Sequence, residues 1–157
     1  MSSVPPPPPA IFPAEPPLWA PYYGASIGTA FARFWRKYAT FSGRASRSEY
    51  WWWQLIYFIY AIVLEIALFS AGAVAVSSNG SVSPSPGYYL LVAVLWIVSL
   101  GTLIPSLALV WRRLHDTNRS GAYYFLGLIP IAGPIILLVF LVSASNPAGA
   151  RFDQPRA

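Results

Sequence analysis

Three apolar segments, each long enough to cross a bilayer, constrain this sequence more than any other feature. They run from about Tyr50 to Val76, from about Tyr88 to Trp111 and from about Ala122 to Ala144. The hydrocarbon core of a bilayer is about 30 Å thick, so a helix rising about 1.5 Å per residue needs roughly 20 apolar residues to cross it. Aromatic residues, including Trp51–Trp53 and Tyr123–Tyr124, cluster at the segment ends, where amphipathic rings prefer the membrane interface. The sequence therefore predicts an all-α membrane protein with a bundle of three transmembrane helices.

The composition agrees with a lipid environment. Hydrophobic residues make up 56% of the 157 residues and charged residues only 10%, whereas an average soluble protein carries about 25% charged residues. The chain has no cysteine, which excludes disulfides and thiolate metal sites. A net charge of +5 would suit a nucleic acid or an anionic bilayer surface. Because the basic residues lie beside the apolar segments and no nucleic-acid-binding motif is present, we expect anionic lipid headgroups as partners and no nucleic acid.

The distribution of basic residues predicts the orientation of the chain. The linker Ser77–Gly87 has no charge, whereas "RRLHDTNRSG", Arg112–Gly121, carries three arginines between two apolar segments. Lys and Arg accumulate on the cytoplasmic side of membrane proteins. We therefore expect a multi-pass protein with its amino terminus and the 112–121 loop in the cytoplasm. Three crossings then place the carboxyl terminus outside, with eight basic residues inside and two outside.

Two different regions precede the first apolar segment. Residues 1–26 are rich in proline, which favours extended conformations without hydrogen bonds, so we predict a disordered cytoplasmic tail. Residues 27–155 form the predicted membrane domain. It begins with an amphipathic helix at about 27–40. One face of this helix contains Ile27, Phe31, Phe34, Trp35 and Tyr38, and the basic residues lie mostly elsewhere. Such a helix is suited to the headgroup region of a bilayer.

Glu65 lies within the first apolar segment, where an ionisable residue is unfavourable and suggests a function. None of the three segments contains a basic residue that would pair with it. One interpretation is a neutral glutamic acid bonded to a neighbouring helix. The alternative function is a small transporter or channel component that uses Glu65. Ala67, Ala71 and Ala75 form a ridge of small residues that favours helix packing, within the chain or in a homo-oligomer or with another membrane protein.

Two charged segments, Phe41–Trp52 and Arg112–Gly121, are expected at the same cytoplasmic boundary. We predict that they form one cluster that binds anionic lipid headgroups or a partner protein, because arginine recognises phosphate with paired donors. Paired charges there would also lock the helices in register. The cluster comprises Arg44, Arg47, Glu49, Arg112, Arg113, His115, Asp116 and Arg119.

Catalysis and metal binding have weaker support in the sequence. His115 and Asp116 suggest a base with an orienting carboxylate, and Ser120 a nucleophile, but residues adjacent on one loop rarely converge as a triad. One histidine and one aspartate fall short of the three or four ligands of a zinc site. We therefore expect a protein that is not an enzyme and has no cofactor, catalytic residue or metal ligand.

The two charged segments carry a resemblance to a known family. The first reads F-x-G-R-A-x-R-x-E-Y-W from Phe41 to Trp51, and the second reads R-R-L-H-D-x-x-R-S-G from Arg112 to Gly121. In sequence, order and separation they resemble domain-of-unknown-function family 805, small bacterial inner-membrane proteins. The similarity covers roughly residues 27–155. Asn118 stands where the family often has glycine, and the ending "ARFDQP" follows the family pattern only loosely. The resemblance implies an integral protein of the bacterial inner membrane and assigns no activity.

Overall fold

Two long helices form the frame of the fold. The computed structural model describes residues 15–70 and 75–153. These residues form helices and turns, together with one antiparallel pair of two-residue strands, Ala75–Val76 and Val82–Ser83. The long helices are α2, Arg47–Ser70, and α3, Pro86–Asp116, and both are long and apolar enough to cross a membrane. The buried core lies at the end of the pair where α2 begins and α3 ends, which we name the charged end.

Helix α1, Ile27–Arg36, packs across the charged end. Ser26 caps its amino terminus, with the Ser26 hydroxyl accepting a hydrogen bond from the Thr29 N–H. Of the residues predicted to share its apolar face, Ile27, Phe31 and Trp35 are exposed, whereas Phe34 is 2% exposed and packs in the core. Arg33 is also buried against the rest of the protein. The apolar side of this helix is therefore only partly directed outwards.

Helix α2 starts with a capping box formed by Ser46 and Glu49. The Ser46 hydroxyl accepts a hydrogen bond from the Glu49 N–H at 3.2 Å, and the Glu49 carboxylate accepts one from the Ser46 N–H at 2.9 Å. These reciprocal bonds satisfy two of the amide donors that a helix start leaves free. They also fix the Glu49 side chain at the charged end, beneath α1.

Helix α3 has 31 residues, which at about 1.5 Å per residue exceeds the thickness of a bilayer core. It continues to Asp116, so the first half of the predicted 112–121 loop is helical. The chain turns immediately afterwards, with Asn118 in the left-handed conformation at φ 60°. Asparagine adopts this conformation more readily than most residues. The charged residues from Arg112 to Asp116 are consequently held on a rigid helix.

The third apolar segment folds back on itself, which differs from the predicted transmembrane helix over residues 122–144. A 3₁₀ helix, Gly121–Leu128, is followed by a turn and by helix α4, Ala132–Val142. The two arms are antiparallel, since the Tyr123 and Phe140 rings lie 5.8 Å apart at the open end. Each arm is about 16 Å long, roughly half of a bilayer core.

The turn of this helical hairpin has a physical cause in the sequence. Pro130 and Pro134 lack backbone N–H groups, and Ile131 has a positive φ of 64°. Gly133 lies against the Leu126 carbonyl, where a β-carbon would be only 2.0 Å from the oxygen. Hydropathy alone does not register such a turn, which explains why the segment resembles one continuous span in the sequence.

The carboxyl-terminal segment returns to the charged end. A second 3₁₀ helix, Pro147–Phe152, follows the hairpin, and the Gly43 N–H donates to the Phe152 carbonyl at 2.8 Å. The Arg44 guanidinium pairs with the Asp153 carboxylate at 2.7 Å. The segments before α2 and after α4 thus lie at the same end of the helix pair. Because the hairpin reverses the chain direction, the described part of the carboxyl-terminal segment, up to Asp153, returns to the end of the helix pair where α2 begins.

Residues 15–26, which the sequence assigns to the proline-rich tail, contact the charged end. The Ala25 N–H donates to the Ser48 hydroxyl at 3.0 Å, and the Trp52 indole N–H donates to the Ala25 carbonyl at 2.9 Å. Residues 1–14 of the predicted tail lie outside the described residues.

Candidate functional site

Glu49 is the centre of a buried charge network at the charged end. Its side chain is 3% exposed and accepts hydrogen bonds from the Arg33 Nε at 2.6 Å and the Tyr22 N–H at 3.1 Å, besides the capping bond from Ser46. Arg33 is equally buried and also donates to the Ala20 carbonyl at 2.5 Å. This network joins the amino-terminal segment and α1 to the start of α2.

The same network contains more positive than negative charge. The Lys37 Nζ lies 3.7 Å from the Glu49 carboxylate, too far for a hydrogen bond, and Arg112 lies near the same carboxylate. Lys37 Nζ and Arg112 Nη2 are buried without a hydrogen-bond partner among the described residues. Burial lowers the pKa of Lys37 to about 8, since desolvation outweighs the attraction of Glu49. The network is thus rich in cations and incompletely neutralised.

Asp116 forms a second network that holds the helical hairpin. Its carboxylate pairs with the Arg113 guanidinium and accepts hydrogen bonds from the Ser145 hydroxyl and, at 2.9 Å, from the Tyr23 hydroxyl. Arg113 Nε donates to the Leu141 carbonyl at 2.9 Å. Desolvation by burial, together with the negative charge of Asp116 and the hydrogen bond to it, raises the pKa of Tyr23. These contacts attach the end of α4 to the end of α3.

His115 lies between the two charged segments predicted from the sequence. Its Nδ1 is 3.0 Å from the Gly43 carbonyl, and its ring stacks on Phe152 with centroids 4.1 Å apart. The Asp116 carboxylate contacts other residues, so His115 and Asp116 are not arranged as a base with its orienting acid. Arg44 lies in the neighbouring charged segment, and its hydrogen bond to Asp153 raises its pKa. His115, through Phe152, and Arg44, through Asp153, thus hold the carboxyl-terminal segment in place.

The remaining predicted site residues are more accessible. Arg47 is exposed, and its Nε donates to the Ser143 carbonyl at 3.2 Å. Arg119 is half-buried, with its guanidinium 4.0 Å from the centre of the Phe140 ring. Glu65 is exposed on the surface of α2, and the part of the chain that the structure describes contributes no hydrogen bond or ion pair to its carboxyl group.

Arg47 also lies where a polar cavity meets an apolar groove. The cavity, of about 380 Å³, is lined by Tyr23, Gly24, Ser46, Arg47, Ser48, Ala144 and Ser145. A second cavity of about 320 Å³ shares Arg47 and Ser48 with the first and adds Trp51, Trp52 and Leu55. A third, of about 530 Å³, continues along α2 past Trp51 and Leu55 to Phe58 and Ala61. Together they form a surface that starts with an arginine and ends among apolar side chains, which we name the α2 groove.

The structure brings the two predicted charged segments together, because the Ala45 N–H donates to the Arg112 carbonyl at 3.0 Å. Sequence reasoning missed Arg33, Lys37, Tyr23 and Asp153 as members of the same site. The capping-box spacing of Ser46 and Glu49 was a readable signal for the start of α2. Nothing local in the sequence indicates that Asp153 pairs with Arg44, 109 residues earlier. Within residues 15–70 and 75–153, no group of three or more His, Cys, Asp or Glu side chains is placed to hold a metal ion.

Comparison with known proteins places this architecture among membrane proteins. Residues 38–154 match the family model described as "Protein of unknown function (DUF805)". The chain is 35% identical to the inner membrane protein YhaI of Escherichia coli over 119 residues, which cover 76% of this chain and 87% of YhaI. It is 33% identical to the inner membrane protein YhaH of the same organism over 117 residues, 74% of this chain and 87% of YhaH. No solved structure matches the chain. With more than half of its length covered, the chain belongs to the DUF805 family of membrane proteins.

Proposed function

We propose that this membrane protein binds an anionic glycerophospholipid at its charged end, with the lipid phosphate at Arg47 and an acyl chain along the α2 groove. In this arrangement the protein resides in the bacterial inner membrane, α2 and α3 cross the bilayer, and the helical hairpin enters it from the charged end without crossing. The exposed apolar residues of α1 rest on the same membrane surface.

The observation that carries the proposal is the continuity of the α2 groove. Adjacent cavities share lining residues, and the lining changes from hydroxyl groups and a guanidinium to the exposed side chains of Trp51, Leu55 and Phe58. A phospholipid has the same order of chemistry, from phosphate to hydrocarbon. The change also occurs at the start of α2, where a membrane interface is expected for a helix of this length.

Arg47 is the member of the predicted cluster best suited to hold the phosphate. Arg44 and Arg113 are paired with Asp153 and Asp116. Arg112 is 2% exposed and so cannot reach a lipid phosphate, and the Arg119 guanidinium donates to the Thr117 carbonyl and lies over the Phe140 ring. Within the described residues, Arg47 is hydrogen-bonded through Nε alone. Its two terminal nitrogens are therefore available to donate in parallel to phosphate oxygens, which is the geometry that arginine offers and lysine does not. The lipid-binding role predicted for eight residues is thereby reduced to Arg47, while the others build its support.

The charge distribution supports placing the charged end in the cytoplasm. Arg151 donates to the Asn118 carbonyl, so this carboxyl-terminal arginine lies with the basic residues of the charged end. The opposite end of the helix pair is joined by the uncharged linker 77–87. Since basic residues accumulate on the cytoplasmic side, both the start of α2 and the end of α4 belong there.

The test compares lipid binding by the wild-type protein, Arg47→Gln and Arg36→Gln in detergent micelles. Arg36 is an exposed arginine on α1 outside the α2 groove, so it controls for the loss of one surface charge. Retained lipids are counted by native mass spectrometry after titration with phosphatidylglycerol or phosphatidylcholine. A charge-assisted hydrogen bond contributes about 1.5–3 kcal/mol, so Arg47→Gln should weaken phosphatidylglycerol binding by about 10- to 100-fold.

Three outcomes contradict the proposal. In one, Arg47→Gln binds phosphatidylglycerol as well as the wild type does. In another, Arg36→Gln loses as much affinity as Arg47→Gln, which would indicate general surface attraction. In the third, a co-purified protein occupies the charged end and no lipid is retained, which would assign the surface to a protein partner.

A further inference from the structure

A fourth cavity lies between α2 and α3. It shares Gln54 and Tyr57 with the apolar end of the α2 groove, and its lining does not include Arg47. Its volume is about 350 Å³, which falls in the range of small-molecule sites. Its polar lining comprises Gln54, Tyr57, Ser99, Thr102, Ser106 and Tyr124. On α3, Ser106 and Ser99 lie 10 and 17 positions before Asp116, or about 15 and 25 Å along the helix. In the proposed orientation the cavity therefore extends from beside the charged end, at Val110, into the hydrocarbon core.

Most of these polar groups lack a protein partner. The Thr102 hydroxyl donates to the Val98 carbonyl of its own helix. Across residues 15–70 and 75–153, no hydrogen bond engages the side chains of Gln54, Ser99 or Ser106. Polar groups without partners are costly in hydrocarbon, where water is scarce. Several of them around one space indicate that something polar occupies it.

The chemistry of the lining defines the occupant. The lining contains no charged side chain, so a charged ligand would remain without a counter-charge. Serine and tyrosine hydroxyls and the Gln54 amide are all hydrogen-bond donors, which suits a ligand with carbonyl oxygens. Trp53 and Tyr57, with ring centroids 6.5 Å apart, give the cavity an aromatic wall that suits a flat ring. The exposed side chains of Tyr57 and Leu103 border the cavity on the side facing lipid.

We infer that this cavity binds an uncharged, membrane-soluble ring compound that carries carbonyl oxygens, of the quinone class. The ring enters from the bilayer between α2 and α3 and accepts hydrogen bonds from Ser99, Ser106 and Gln54, while its hydrocarbon substituent stays in the lipid. The inference concerns binding alone and uses none of the residues that hold the proposed phospholipid phosphate.

The experiment uses the full chain in lipid nanodiscs and a decyl-substituted benzoquinone as the probe. Seven tryptophans give a fluorescence signal, and Trp53 lines the cavity itself. We expect saturable quenching with one probe per chain, above the linear quenching caused by probe dissolved in the bilayer. Ser106→Leu fills the cavity and Gln54→Leu removes its amide, and each should weaken the saturable phase at least 10-fold.

The matched control is Ser70→Leu, which makes the same replacement on the exposed surface at the end of α2. It should bind the probe like the wild type. Purely linear quenching by the wild-type protein would overturn the inference and indicate that the cavity holds water or lipid. Equal loss of binding in Ser70→Leu and Ser106→Leu would overturn it as well. Because Arg47→Gln leaves this cavity intact, its phospholipid result and the quinone result are independent.

Discussion

The pair Arg33 and Glu49 should show strong energetic coupling, because both side chains are buried and in direct contact. Arg33 is 1% exposed and Glu49 3% exposed, and the Arg33 Nε is 2.6 Å from the carboxylate. Removal of one partner from a buried ion pair typically costs about 3–5 kcal/mol, since the remaining charge is left without compensation. We therefore expect Glu49→Gln and Arg33→Met each to lower the free energy of unfolding by about that amount.

The double variant should lose less than the sum of the two single losses. After Arg33→Met, Lys37 still lies 3.7 Å from the Glu49 carboxylate and retains part of the compensation. Arg33→Met also removes the hydrogen bond to the Ala20 carbonyl, which is independent of Glu49. Coupling energies between residues in contact reach about 0.5–3 kcal/mol, and these geometries place the expected value at about 2 kcal/mol.

The measurement is reversible unfolding in mixed detergent micelles, followed by tryptophan fluorescence and far-ultraviolet circular dichroism. A control double-mutant cycle combines Glu49→Gln with Arg36→Met, because Arg36 lies on α1 like Arg33 but is exposed. That cycle should be additive to within about 0.5 kcal/mol. If the Arg33 cycle were equally additive, the buried network would not hold α1 against α2, and the reasoning would be refuted.

Three further predictions concern other parts of the fold. Burial lowers the pKa of Lys37 to about 8, below the value near 10.4 in an unfolded chain. Between these two pH values the unfolded state binds more protons than the folded state, so the free energy of unfolding should rise with pH from about 8 to 9.5. Lys37→Met should abolish this rise. Gly133→Ala would bring a β-carbon to 2.0 Å from the Leu126 carbonyl oxygen and should lower the free energy of unfolding in detergent by at least about 1–3 kcal/mol. The control, Gly127→Ala, meets an ordinary contact at 3.6 Å and should be nearly neutral. Equal losses of stability in the two variants would contradict the hairpin geometry. Reporters fused at the amino terminus and after Ala157 should both be cytoplasmic, and active periplasmic alkaline phosphatase at the carboxyl end would show that the third segment crosses the membrane.

The two long helices were predictable because hydropathy and length are properties of a continuous stretch of sequence. The third apolar segment is also long and uncharged, yet it folds as a hairpin. Its direction depends on the turn at Pro130 and Ile131 and on the close packing of Gly133, which are local backbone properties. The prolines were visible in the sequence, but a proline can also kink a helix that still crosses a membrane.

The charged site was predictable in its location and only partly in its construction. Basic residues beside apolar segments indicated that Arg44 and Arg112 would lie at one boundary. Their pairing was not predictable, because the partner of Arg44 is Asp153 and the carboxylate near Arg112 belongs to Glu49. Which residues of the cluster are buried was not predictable either, because burial depends on the tertiary fold. Buried arginines require protein acceptors, and most of these arginines have them.

The position of Phe152 and Asp153 has a consequence for the order in which the protein is assembled. The ribosome makes these residues after helices α1 to α4, yet they complete the contacts of Gly43 and Arg44, which are synthesised early. Until Phe152 and Asp153 have been synthesised, the Gly43 N–H and the Arg44 guanidinium lack these two acceptors. The charged end therefore acquires its full set of contacts only after its four α-helices have been translated.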